Sequence, residues 1–134
     1  MDLDQLRIAW TPRLLSVLRI MAALLLLEYG TAKLLGFPEH EFLNEVPAFS
    51  LYWVAGLFEL VGGTLLLLGL FTGPVALVLS GEMAFAYFID HAPRGFFPLL
   101  NHGELAVLFC FVFLYLACAG GGAWSLDALL RRRR

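Results

Sequence analysis

Residues 51–71 read LYWVAGLFELVGGTLLLLGLF, an apolar run broken by a single charge, Glu59. Its length suits a helix crossing about 30 Å of hydrocarbon, which takes roughly 20 residues. Three glycines share a helical face with that charge: Gly56 three residues before Glu59, Gly62 three after and Gly63 four after. Small residues on one face let a second helix approach closely. Glu59 is therefore expected to point into a helix contact and away from lipid. Ala32, four residues after Glu28, and Ala86, four after Glu82, repeat the pattern more weakly.

Three further segments have a similar character: Leu14 to Leu35, Pro74 to His91 and His102 to Ala119. The last two are short and need little tilt or some bilayer thinning. Boundary residues support the division. Thr11-Pro12 reads as a cap followed by proline at the first helical position, Ser50 as the cap of the second span, and Gly73-Pro74 as the opening of the third. Asn101 with Glu104 three residues on resembles a capping box. The whole chain has 134 residues, 60% hydrophobic and 15% charged, with a mean hydropathy of +0.81. A water-soluble domain this small could not hide so much apolar surface. The fold expected is all-α, a single transmembrane domain over 1–134 forming a bundle of four helices. Phe37 to Ser50 is the only sizeable connection, and there is no repeat or low-complexity linker.

A cleavable signal peptide is the rival reading of the first run, because Arg7 and Arg13 precede Leu14 to Leu27. The run continues through Glu28 to Gly36, however, and no small-x-small site follows before the acidic stretch Glu39 to Glu45. It reads as a retained span. Basic residues flanking spans stay on the cytoplasmic side. Arg7, Arg13 and Arg131 to Arg134 sit at the two ends, and an even number of spans puts both ends on one side. Both termini are thus expected in the cytoplasm, with the acidic first loop outside and the arginine tail near anionic lipid.

Each span carries one glutamate: Glu28, Glu59, Glu82 and Glu104. An ionisable group in hydrocarbon costs about 3 kcal/mol by insertion scales, so such groups turn inward and are neutralised or paired. Counting along the spans puts Glu59 and Glu82 near the midplane, Glu28 farther out and Glu104 near the outer interface. Lys33, Asp90, His91 and His102 fall at that outer level. Lys33 lies about 140° around the helix from Glu28, so the two do not pair. It is expected to snorkel to the interface and meet Asp90. Arg19 is expected to reach the cytoplasmic headgroups. In the fourth span Glu104, Phe111, Tyr115 and Cys118 share a stripe that could line a pocket for a flat ligand or form a packing seam.

Residue content excludes several chemistries. Cys110 and Cys118 lie about 12 Å apart along one helix, too far for a disulfide between them. There is no CxxC, phosphate loop, dinucleotide fingerprint or G-x-S-x-G elbow, and no Glu-x-x-His pair for a carboxylate-bridged metal. No metal site is expected. The net charge of -2, with basic residues gathered near the ends, gives no nucleic-acid surface.

Several segments together resemble the DoxX family of small bacterial membrane proteins. They are Arg19 and Gly30-Thr31-Ala32-Lys33 in the first span, Glu59-Leu60-Val61-Gly62-Gly63 and Leu67-Leu68-Gly69-Leu70-Phe71 in the second, and the tail Gly120-Gly121-Gly122-Ala123-Trp124-Ser125-Leu126-Asp127. The resemblance covers about Leu14 to Asp127. It implies a four-helix inner-membrane protein associated with redox chemistry, since similar proteins include a subunit of a thiosulfate:quinone oxidoreductase and partners of sulfur-handling enzymes.

The function expected is a quinone-linked redox component, or a membrane subunit of an oxidoreductase. Glu59 and Glu82 would exchange protons, and Glu28, Lys33, His102, Glu104 and Tyr115 would contact a quinone or another small ligand. Electrons would come from a partner enzyme. Two other classes share these features: a non-catalytic membrane scaffold for a redox partner, in which Trp124 is interfacial and Asp127 caps a short final helix, and a small proton-coupled carrier using membrane glutamates. Gly69-x-x-x-Gly73 is compatible with a homo-oligomer.

Overall fold

The computed structural model describes residues 1–134 and contains helices and turns but no strand. Helix α1 spans Leu3–Leu35. Its start is set by a capping box, with the Gln5 N–H donating to Asp2 at 2.8 Å and the Asp2 N–H donating to the Gln5 side chain at 3.1 Å. That box nucleates the helix well before Thr11-Pro12, so Pro12 lies inside it and not at its first turn. Helix α2, Leu51–Leu68, begins as expected on the Ser50 side chain, which accepts from the Trp53 N–H at 3.3 Å. It stops at Gly69, whose left-handed φ of 68° closes the helix three residues earlier than the apolar run does.

Helix α3 spans Thr72–Ala86, so Gly73-Pro74 falls within its first turn. It continues as a π-helical turn over Tyr87–His91 and a 3-10 turn over Ala92–Arg94. A short α4, Pro98–Asn101, precedes α5, Glu104–Ala119, and α6 spans Leu126–Arg132. The capping box expected at Asn101 does not form. His102 adopts a left-handed φ of 58°, Gly103 takes the cap position, and the Asn101 side chain instead accepts from the Gly103 N–H at 2.8 Å.

Length and composition suffice for membrane crossing in three helical stretches, Leu3–Leu35, Leu51–Leu68 and Thr72–Arg94; α5 is equally apolar but shorter. Large apolar side chains cover the outside, among them Val61, Leu77, Leu108 and Phe111. This is the surface of a protein that lives in lipid.

The helices pack mainly as two pairs, α1 on α2 and α3 on α5, with α2 and α3 touching over a smaller area. The two neighbouring glycines of α2 serve different partners: Gly62 packs on Leu79 of α3, and Gly63 on Leu27 of α1. Gly30 of α1 comes so close to α2 that a Cβ there would lie 2.8 Å from the Leu60 nitrogen. The core, including Leu26, Leu66, Leu79, Phe113 and Leu116, lies between the pairs, and the Phe109 and Phe113 rings stack at 5.1 Å.

Arg19 corrects the expectation placed on it, because its side chain is buried and does not reach headgroups. Its guanidinium donates to the Gly121, Trp124 and Leu67 carbonyls. A cation this deep needs its donors matched by acceptors, and the glycine-rich tail brings bare carbonyls to it. Ser16 adds bonds to the Gly121 carbonyl and the Trp124 N–H, both at 2.9 Å. Asp127 does not cap α6, which Ser125 caps. It accepts from the Phe71 and Thr72 N–H groups at 2.9 Å and so caps α3. These bonds hold the C-terminal tail against the N-terminal half of α1, leaving both termini at one end of the bundle.

Candidate functional site

Toward the end away from the termini, the two helix pairs separate around a cavity of about 570 Å³. Most of its lining is apolar, from Leu26, Val54, Phe58, Met83, Ala106 and Phe109 among others. Into it project Lys33 of α1, Glu59 of α2, Glu82 of α3 and, farther along, Asp90, His91 and His102.

Lys33 and Glu59 form a two-pronged ion pair, with Nζ 2.8 Å from one carboxylate oxygen and 3.0 Å from the other. Both side chains are almost wholly buried, at 9% and 5% exposure. The pair is possible because Gly56 sits against Lys33 Cβ and Leu34, and Gly30 against Leu60, so the helices meet backbone to backbone at this level. The expectation that Lys33 snorkels toward Asp90 is thereby corrected. The ammonium finds its counter-ion one helix away, and Asp90 is taken up by the Tyr52 hydroxyl at 2.8 Å and by Arg94.

Glu82 faces this pair from α3 with its carboxyl beside that of Glu59, and both of its oxygens are buried without a donor from the protein. Two carboxylates here share one ammonium. The second must take its donor from a proton or from a molecule in the cavity. Of the three N–H groups of an ammonium, Glu59 engages two, so Lys33 retains one for a further acceptor.

The far end is built by the π-helical turn, which rotates Tyr87 inward and presents Asp90 and His91 to the mouth. Tyr87 donates to the Phe96 carbonyl, Asn101 donates to the Tyr87 hydroxyl at 3.2 Å, and His91 meets the Asn101 carbonyl at 3.0 Å. The Tyr52–Asp90 bond runs from α2 to this turn across the mouth.

Glu59, Glu82, Lys33 and His102 thus share one cavity, whereas Glu28, Glu104 and Tyr115 do not line it. Glu28 is exposed on α1, and Glu104 begins α5 on an exposed face. Tyr115 is 58% exposed on the side of α5 away from the core, as is Phe111, so the stripe through them faces outward. Tyr29 and Tyr52, not expected at the site, also line the cavity. A helical signal for each was present: Tyr29 lies four residues before Lys33, and Tyr52 seven before Glu59.

A family model described as DoxX matches residues 14–92, which hold Lys33, Glu59, Glu82, Asp90 and His91. An uncharacterized protein of Haemophilus influenzae is 46% identical over 122 residues, covering 88% of this chain and 91% of its own. No solved structure matches the chain. The Gly-rich contact that seats Lys33 on Glu59 lies wholly inside the matched segment, and on the strength of that match and of the relative the chain belongs to the DoxX family.

Proposed function

We propose that this protein is a four-span bundle of the bacterial inner membrane, one transmembrane domain with both termini cytoplasmic, that holds the headgroup of a quinone or quinol for a partner redox enzyme. The observation that carries this reading is Glu82, a buried carboxylate that no protein donor reaches, beside a Lys33–Glu59 pair inside an apolar cavity. The cavity volume of about 570 Å³ falls within the roughly 300–1,000 Å³ typical of small-ligand sites.

A quinol headgroup offers what Glu82 lacks, a hydroxyl donor, and a quinone carbonyl offers an acceptor to the remaining N–H of Lys33. Glu82 is then the group that takes up or returns one of the two protons that accompany the two electrons, the other exchanging with water at the polar mouth, and Glu59 holds the ammonium in place. His102, at the rim, orients the polar edge of the ring. Bound quinone supplies a two-electron acceptor, and the two electrons come from the partner enzyme. Orientation rests on Arg7, Arg13 and Arg131 to Arg134, which collect at the end bearing both termini.

The test uses the protein in lipid nanodiscs with a tail-less benzoquinol analogue. Glu82→Gln keeps the shape of the side chain and removes its charge. Affinity is expected to fall about tenfold, because the phenolic hydroxyl then meets a neutral amide oxygen in place of a charged carboxylate. A folded Glu82→Gln protein with unchanged affinity would sink the headgroup reading. Analogue binding that drives proton flux across vesicles without any redox change would favour a carrier instead. A wild-type protein that binds no quinol analogue, yet co-purifies with a redox enzyme, would favour a scaffold.

A further inference from the structure

The cavity has a side as well as a polar end. Along α2, Val54 and Phe58 line it, and along α3 so do Val78, Gly81 and Phe85. Val78, Gly81 and Phe85 stand at i, i+3 and i+7 on one helical face, with Glu82 beside Gly81 on the inner edge of the same face. These apolar side chains are all exposed on the outside of the bundle as well, Phe85 at 70%. Gly81 is the gap between them. A Cβ added there would meet nothing within 4 Å, in contrast to the glycines that seal helix contacts elsewhere in α1 and α2.

We propose that the gap at Gly81 is a lateral portal, and that the ligand is a membrane-dissolved amphiphile with a hydrogen-bonding head and a hydrocarbon tail. The head reaches Glu82 and Lys33 from within the bilayer, and the tail lies in the groove between α2 and α3. This rests on the reading of the polar end given above and adds the class of ligand and its route. The groove lies in helices that are themselves long and apolar enough to cross a membrane, so hydrocarbon surrounds its open side. A tail already in lipid gains no hydrophobic energy by entering; the groove acts by packing and by aligning the head. At the polar end of the same groove, the Tyr52–Asp90 bond ties α2 to the turn that continues α3.

Gly81→Trp tests the portal without threatening the fold, since the new ring projects into open space. In nanodiscs the affinity for a quinol analogue bearing a long isoprenoid or alkyl tail is expected to drop about tenfold or more. The tail-less analogue, small enough to enter by either side, is expected to bind as it does to wild type, and Gly81→Ala is expected to match wild type with both. Equal loss of both analogues, or loss of neither, overturns the portal. A change in oligomeric state in Gly81→Trp also overturns it, because a second copy of the chain would then cover the groove. Failure of the headgroup reading looks different: Glu82→Gln leaves tail-less binding unchanged. In that case a photoreactive alkyl probe with a simple alcohol head decides the portal alone, by labelling Val54 or Phe85 in wild type and neither in Gly81→Trp.

Discussion

Lys33 of α1 and Glu59 of α2, 26 positions apart in the chain, meet through two bonds of 2.8 and 3.0 Å where the helices are spaced by Gly30 and Gly56. Both side chains are almost wholly buried, so neither charge has enough water around it to replace its partner. Removing one partner is therefore worse than removing both.

Lys33→Met alone is expected to cost about 3–5 kcal/mol by leaving Glu59 uncompensated, whereas Lys33→Met with Glu59→Leu should recover most of that loss. Reversible unfolding in mixed micelles measures both. A double variant as unstable as the single one would show that the pair matters through packing and not through charge.

The tail latch predicts a pH effect. Burial by itself would raise the Asp127 carboxyl, but the backbone N–H groups of Thr72 and Phe71 and the charge of Arg131 outweigh it and hold the group below the ordinary carboxylate range. Its folded value is depressed, so the stability it contributes is fully present above the unfolded value of about 3.9. That contribution is lost as pH falls from there through the lower folded value. Asp127→Asn is expected to cost about 1 kcal/mol at neutral pH, the usual worth of a helix cap. It should also flatten the stability profile below about pH 4. An unaltered acid limb in the variant would remove Asp127 from the latch.

Two glycines should respond in opposite ways to the same substitution. Gly30→Ala places a methyl 2.8 Å from the Leu60 nitrogen, forces α1 from α2 and is expected to cost about 1–3 kcal/mol. Gly81→Ala meets nothing and gains helix propensity, so it should be neutral or stabilising by up to about 1 kcal/mol. Thermal unfolding of the two variants side by side checks the contrast, and equal effects would contradict the packing described for α1 and α2.

Much of this architecture was legible in the residues. The apolar runs located the long helices because crossing length is a local property of composition, and Ser50 marked the start of α2 because a cap bonds only three residues ahead. The face of Glu59 could be read from Gly56, Gly62 and Gly63 because helical spacing fixes which residues share a face. Signals that compete locally were harder to read. Thr11-Pro12 looked like a start, but the stronger Asp2–Gln5 box begins α1 earlier, and proline is tolerated within the helix. Asn101 and Glu104 had the spacing of a capping box, but the left-handed turn at His102 sends the Asn101 side chain to the Gly103 N–H.

Which residues would share one site depended on how the helices pack. A side chain's angle around its own helix follows from 3.6 residues per turn, but the sliding and rotation of one helix against another follow from shape. Backbone contact at Gly30 brings Lys33 to Glu59 and not to Asp90, and the same packing leaves Tyr115 facing outward. Arg19 became a partner of the tail, and the tail's Asp127 a partner of α3, because the chain after α5 folds back over the N-terminal half of α1 and the start of α3. The sequence alone determined that this is an apolar helical protein with glutamates in its spans and glycines around Glu59. Only the tertiary structure decided that Glu59 is paired and Glu82 is not, because the number of donors reaching a buried carboxylate depends on neighbours brought from other helices.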